Sequence, residues 1–400
     1  MLWGERVGRR RALIAVLALF ALADIAFAVV VMSGGSGGSA QAALPMHPVV
    51  GSFVPDDTQV GECSDARCFQ QAFGNIAYRE GPKAALSLVD RVYGNGADPA
   101  CHRFTHFIGA ASLARFGGNV ARTLAAGDPT CWSGYYHGVL ERALVRAKSR
   151  KPSALAAVAR TLCTDRRMTP WIVYGCDHGL GHGLMIATGL NLPISLEVCS
   201  RLARWWDADA CRGGVFMENL SSSYGFHSIF LRDDDPIYPC NWVDVGARRR
   251  CYQIVTSRIL PHVDDDWERT AEICAGVERG FVDWCFRSFG RDASSRSSRD
   301  SVKITELCAT VRPYGGEGDC IEAAASDVTA NFASGERGRE LCDVVVSAVR
   351  TRCYYGVGSV LGRFRMTPAA RIADCEGIAA GQPSYVAACV RGGRENLPRG

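Results

Sequence analysis

The chain has 400 residues, of which 48% are hydrophobic, 22% charged and 9% aromatic. This composition excludes a mostly disordered chain, and a net charge of +4 is too small at this length to indicate a nucleic-acid partner. The chain contains 18 cysteines and no CxxC pair of the kind that zinc modules and iron–sulfur clusters use. We therefore expect nine disulfides and an oxidising compartment outside the cytoplasm. Arginine far outnumbers lysine, which together with abundant alanine and glycine favours a GC-rich bacterial genome.

The first predicted element is a transmembrane signal-anchor over residues 12–32, an apolar run long enough to cross a bilayer as a helix. Residues 1–11 form a basic flank, which predicts a cytoplasmic N-terminus and an extracytoplasmic body in a single-pass protein of the cell membrane. Cleavage near Ala42, which would release a secreted protein, stays open as the alternative. Residues 33–60, which begin with glycine and serine, are predicted to form a flexible linker.

Cysteine spacing predicts a repeat domain over residues 61–397. A period near 34 residues between successive pairs is typical of repeated supersecondary units. First cysteines lie in helix-like stretches such as TAEICAGV, and second cysteines open another helical stretch such as CIEAAASDVTANF. Each unit is then an α-hairpin joined by a disulfide near its turn. The predicted pairs are Cys163–Cys176, Cys199–Cys211, Cys240–Cys251, Cys274–Cys285, Cys308–Cys320, Cys342–Cys353 and Cys375–Cys389, with Cys63–Cys68 and Cys101–Cys131 preferred among three possible connectivities for the remaining four cysteines.

These units predict an all-α, right-handed superhelix, or solenoid, of roughly ten disulfide-linked helical hairpins. In period and hairpin form the chain resembles the Sel1-like and tetratricopeptide classes of solenoid, especially the cysteine-stapled secreted proteins with Sel1-like repeats. The consensus residues of those repeats are absent, so the resemblance implies an architecture and no function. The polar stretch over residues 290–301 is predicted to be a loop between two halves of the array.

Histidines are concentrated in three consecutive units, although the repeat itself does not require them. Counted from the second cysteine of each unit, His137 and His182 occupy the same position, where later units have residues such as Met217 and Ser359. The spacing of the pairs His102/His106 and His178/His182 places each pair on one face of a helix, as in HxxxH metal sites. Glycines recur near these positions, which indicates close approach of helices.

A metal site is the functional interpretation of this cluster. The candidate ligands are five histidines, with two glutamates as further ligands or as a general base: His102, His106, His137, Glu141, His178, His182 and Glu218. Nitrogen and carboxylate donors suit Zn, Fe, Mn or Cu, and a b-type haem with two axial histidines is a less favoured alternative. Units packed about 8–10 Å apart would separate the first and third by about 16–20 Å in a straight stack. Either the superhelix curls tightly, or two ions lie on either side of His137.

Two hypotheses about function follow. The first is a metal-binding protein, which would also be a metalloenzyme if the ion activates water; the second is a non-enzymatic scaffold that binds a protein or a cell-envelope polymer on the solenoid surface. No HExxH or nucleophile motif occurs, so the sequence names no reaction. Polar packing beside the glycines is the structural interpretation that competes with the metal site.

Overall fold

The structure is a computed structural model, and it describes residues 53–93, 99–128, 130–145, 147, 149–164, 168–221, 228–379 and 381–397. Within these residues the fold is all-α, with 19 α-helices and no strand. Their bounds are α1 Ala66–Arg79, α2 Pro82–Tyr93, α3 Pro99–Arg115, α4 Val120–Ala125, α5 Thr130–Val145, α6 Pro152–Leu162, α7 Pro170–Thr188, α8 Leu192–Ser200, α9 Trp205–Leu220, α10 Val245–Tyr252, α11 Thr256–His262, α12 Trp267–Ala275, α13 Val282–Arg296, α14 Ser301–Ala309, α15 Glu317–Phe332, α16 Gly335–Val344, α17 Ser347–Leu361, α18 Pro368–Ile378 and α19 Pro383–Glu395.

The longer helices form an inner row in which each helix packs on the next. One run is α1, α3, α5, α7 and α9, and a second run is α13, α15, α17 and α19, with the short helices α10 and α11 between them. The intervening helices, such as α8, α14 and α16, pack on the inner row from outside. A hydrophobic core continues from Leu144 to Cys389, as expected when no single hairpin can bury its apolar face alone.

The inner row curls back on itself. Helix α15 contacts α5, and a short 3₁₀ helix at Gly362–Phe364 contacts α7, where the Phe364 ring lies 4.9 Å from that of Trp171. A straight array would bring only neighbouring units together. Of the two arrangements considered, the structure shows the curled one for these units, whereas the right-handed superhelix stays a prediction.

The cysteines form nine disulfides, and the partners are the nine pairs expected from spacing. Cα atoms of partners are 5.2–5.7 Å apart, within the usual range of about 4.4–6.8 Å. Most of these bonds join an outer helix to the inner helix that follows it. Cys101–Cys131 differs, because it joins the inner helices α3 and α5 directly.

The predicted loop over residues 290–301 is wrong in its first part, because α13 continues to Arg296. Its polar side chains are buried in hydrogen bonds with neighbouring helices. Asp292 accepts a hydrogen bond of 2.6 Å from Thr256, and Ser294 donates one of 2.8 Å to Asp327. Polar side chains that form hydrogen bonds can be buried at little cost in free energy. A polar stretch of sequence is therefore compatible with a buried helix, as here.

The predicted transmembrane segment 12–32 lies outside the described residues, as does the start of the linker. Within the described residues no helix is long and apolar enough to span a bilayer. The end of the predicted linker packs against α1: the Phe53 ring lies 6.0 Å from that of Tyr78, and the Asn75 side chain contacts Asp56 and Thr58. The linker boundary stays a prediction.

Candidate metal centre

Five histidine rings from three inner helices meet in the interior of the protein. Helix α3 supplies His102 and His106, α5 supplies His137, and α7 supplies His178 and His182. The ring centroids of His106 and His182, which belong to the first and third helices, are only 6.3 Å apart. The tightly curled arrangement is therefore the one that the structure shows.

Glycines allow the three helices to approach this closely. A Cβ atom at Gly138 would overlap the backbone of His106, and one at Gly214 would overlap the backbone of His178. No side chain can move aside to relieve such an overlap, because the obstacle is main chain. Close helix packing, which the recurring glycines predicted, thus brings the histidines within reach of one another.

The histidines form two groups that share His137. In the first, one ring nitrogen from each of His102, His106 and His137 lies within 4.8 Å of the others, and the same holds for His137, His178 and His182 in the second. We call these groups the first and the second triad. In either triad, side-chain rotations could bring the three nitrogen atoms to roughly 2.0–2.1 Å from a common ion, the usual distance between zinc and a histidine nitrogen.

Hydrogen bonds fix where the protons of the first triad lie. His102 donates from Nδ1 to the Cys131 carbonyl at 2.8 Å, because a carbonyl oxygen can only accept. His106 likewise donates from Nδ1 to the Glu141 carboxylate at 2.8 Å. In the neutral rings both Nε2 atoms then carry a lone pair, yet they face each other at 3.0 Å. Two lone pairs at this distance repel, and either a proton on one of the two Nε2 atoms or a metal ion between them would remove the repulsion.

Ring orientation favours the first triad as the better-formed site. Its rings are inclined at 71°, 71° and 79° to one another, so their in-plane lone pairs can converge on one point. In the second triad, His137 and His182 stack face to face at 4.0 Å with 15° between their planes. A single ion cannot lie near the planes of two stacked rings, so the second triad needs a ring rotation before it binds.

The second triad contains buried nitrogen atoms that lack partners. His182 donates from Nδ1 to Glu218 at 2.9 Å, which leaves its Nε2 as an acceptor. That Nε2 atom and the Nδ1 atoms of His137 and His178 are buried with no hydrogen-bond partner in the described part of the chain. Burial of each such atom without a hydrogen bond lowers the stability of the fold by about 1–3 kcal/mol. Three of them in one place therefore indicate a site where a ligand binds.

Burial keeps most of these imidazoles neutral. It lowers the pKa of His102, His137 and His178 well below the ordinary value of 6.5, and neighbouring imidazoles lower each of them further. A neutral imidazole is the form that binds a metal ion. His102 is only partly buried, unlike the other four histidines of the cluster.

Both predicted glutamates are fully buried and adjacent to the cluster, but neither belongs to a triad. Each carboxylate contacts the Nδ1 atom of a histidine instead, which is the usual position of a group that orients a metal ligand. Two neighbours of the cluster were missed. Tyr174, one helical turn before His178, stacks on its ring at 5.6 Å, and that spacing could have indicated the contact. Arg250 lies in a later unit, and no sequence signal relates it to the site.

Comparison with known proteins gives no relative from which to transfer a function: no family model, no curated protein and no solved structure matches this chain.

Proposed function

We propose that the protein binds a transition-metal ion through the first triad, His102, His106 and His137. The observation that carries this proposal is the pair of opposed Nε2 atoms at 3.0 Å, whose Nδ1 atoms both donate to acceptors. A metal ion between them would convert a repulsive contact into two bonds. His137 would complete a set of three nitrogen ligands and leave a fourth position for water or a substrate.

The donor set narrows the choice of metal. Three neutral imidazoles without a carboxylate suit Zn, Cu or Fe better than Mn, which prefers oxygen ligands. Glu141 orients His106 and makes it a stronger ligand, and Glu218 does the same for His182. A b-type haem fits poorly, because the His137 ring lies 5.2 Å from His106 and 4.0 Å from His182 and occupies the space that a porphyrin would need.

The second triad would hold a second ion only after the His182 or His137 ring turns. His137 can serve both triads because an imidazole has two nitrogens. We therefore propose one tightly bound ion in the first triad, with the second triad as a weaker site. An open fourth position would allow metal-bound water to react, although no reaction is assigned.

The metal content of the purified, oxidised full-length protein tests this proposal. One ion per chain should remain after dialysis, and His106→Ala should abolish its binding. His178→Ala should leave this ion in place, since it alters only the second triad, and His262→Ala is a matched control because His262 is exposed. If the protein retains no metal, and if adding Zn²⁺ or Cu²⁺ does not raise its melting temperature, then an additional proton occupies the gap and the proposal is wrong.

We also propose that the protein acts outside the cytoplasm, tethered by residues 12–32. The apolar run supports the tether, and nine disulfides support an oxidising compartment. A reporter fused after residue 60 would test it: a periplasmic phosphatase should be active there and a cytoplasmic fluorescent reporter inactive. The opposite pattern would place the domain inside the cell.

A scaffold remains the second candidate because of a series of alternating Trp and Arg side chains, of which Trp205 is exposed and the others are partly buried. Arg249 lies 4.8 Å from the Trp205 ring and 5.0 Å from the Trp284 ring, and Arg287 lies 4.9 Å from Trp284. Trp205 is 64% exposed, which is unusual for so large an apolar side chain. Trp205→Ala should weaken the capture of a protein or envelope polymer and leave the metal content unchanged. Unchanged capture would count against a scaffold at this surface.

A further inference from the structure

Beside the second triad, two arginines pair with one carboxylate, and a third arginine lies near enough to feel its charge. Asp209 on α9 is buried, and its two oxygens pair with Arg249 at 2.5 Å and with Arg250 at 2.7 Å. Arg250 is also near His178, whose pKa it helps to lower. Two guanidinium groups therefore share a single negative charge.

The third arginine arrives from the other end of the chain. Arg363 lies in the 3₁₀ helix that contacts α7, and its guanidinium carbon is 4.7 Å from the centre of the Tyr174 ring. Its Nε donates to the Asn396 carbonyl at 3.2 Å. In the described part of the chain, no carboxylate lies within ion-pair distance of Arg363.

The charges in this region do not balance. Arg249, Arg250 and Arg363 carry three positive charges, and Asp209 supplies one negative charge. Burial lowers the pKa of Arg363, Tyr174 and Asp209 act in the opposite direction, and repulsion from Arg250 adds to the lowering. Like charges in a partly desolvated site repel strongly, because the effective dielectric constant is well below that of water. A bound anion would relieve this repulsion.

We propose that Arg250 and Arg363 bind an oxyanion, a phosphate or carboxylate group, beside His178. Arg250 already donates to Asp209 and Gln253, so it contributes mainly its charge, whereas the terminal nitrogens of Arg363 can donate to two oxygens of either anion. Tyr174 stacks on His178 and also contacts Arg363, so it connects this site to the second triad. The site goes beyond the metal centre and does not require an ion. The site depends on the curling of the inner row, because this curling brings Arg363 into contact with α7.

Calorimetric titration of the full-length protein, stripped of metal by a chelator, tests the oxyanion site. Inorganic phosphate and acetate are titrated separately at constant ionic strength, and binding of either one supports the proposal and identifies the class of anion. Arg363→Gln should weaken that binding about tenfold or more, as expected for loss of a charge-assisted hydrogen bond. Arg337→Gln is a matched control, because Arg337 also stacks on an aromatic ring, at 4.7 Å from Phe332, but has Glu340 as its partner. The control should bind the anion like the wild type.

The proposal is overturned if neither anion binds, or if Arg363→Gln binds as tightly as the wild type. Should that variant fail to fold, the wild-type melting temperature decides the matter. It should rise with added phosphate or acetate and level off at a saturating concentration, whereas the general effect of a kosmotropic salt keeps growing with concentration. No saturable rise with either anion would overturn the proposal. Because the protein is free of metal in both measurements, absence of a metal centre cannot imitate either outcome.

Discussion

Replacement of Glu141 by Gln isolates the contribution of an outer carboxylate to metal binding. Glu141 is fully buried and accepts a hydrogen bond of 2.8 Å from His106 Nδ1. Gln has the same shape and keeps an acceptor oxygen, so the fold should persist while the charge is lost. Removal of such a partner typically weakens metal affinity about 10–100-fold, which corresponds to about 1.4–2.8 kcal/mol. We expect Glu141→Gln to weaken Zn²⁺ binding by an amount in this range.

A competition titration against a colorimetric zinc chelator measures this change. Glu218→Gln is an internal control, since Glu218 makes the same contact with His182 in the second triad. It should change the affinity for the first ion by less than about threefold, because it orients no ligand of that ion. Equal weakening by both variants, or none by Glu141→Gln, would refute the assignment of the ion to the first triad.

Three other properties should follow from the structure. The three histidines with lowered pKa bind protons mainly in the unfolded chain, so the metal-free protein should lose stability as the pH falls below about 7. Each of these histidines should lower the free energy of unfolding by up to about 1.4 kcal/mol per pH unit. A free energy from urea unfolding that is the same at pH 7.5 and at about pH 5.5 would contradict this. Gly138→Ala should destabilise the protein by about 1–3 kcal/mol, because the added Cβ atom would overlap main-chain atoms. Gly246→Ala should leave the stability unchanged or raise it, because nothing lies within 4 Å of the added Cβ atom. Similar melting temperatures for the two variants would count against the close helix packing. Replacing Cys308 and Cys320 by Ala removes a bond that closes a loop of 12 residues, and it should lower the free energy of unfolding by about 3 kcal/mol. An unchanged midpoint of denaturant unfolding would show that this disulfide hardly restricts the unfolded chain.

The sequence predicted the local features of this protein well. Cysteine spacing indicated both the hairpins and their pairing, because a disulfide requires its two residues to be neighbours in space. The HxxxH spacing placed two histidines on one face of a helix, which depends only on helical geometry. Neither inference needed information about distant units.

Properties that depend on how distant units meet could not be predicted. Main-chain contacts at glycines such as Gly138 and Gly214 set how closely neighbouring inner helices approach, but no sequence pattern gives the angle that accumulates along the row. The same closure brings Arg363 to Tyr174, which is 189 positions earlier in the chain. The end of α13 was predicted as a loop because its residues are polar. Asp292 and Ser294 are buried there, since their hydrogen-bond partners lie on neighbouring helices that the local sequence does not reveal.

The most direct test of the metal centre is anomalous diffraction from crystals of the oxidised protein grown with Zn²⁺. We predict one strong anomalous peak about 2.0–2.1 Å from the Nε2 atoms of His102 and His106 and from one nitrogen of His137. Data collected on either side of the zinc absorption edge should identify the ion. The absence of a peak at saturating Zn²⁺, with the two Nε2 atoms still about 3 Å apart, would show that a proton occupies the gap and would contradict the account.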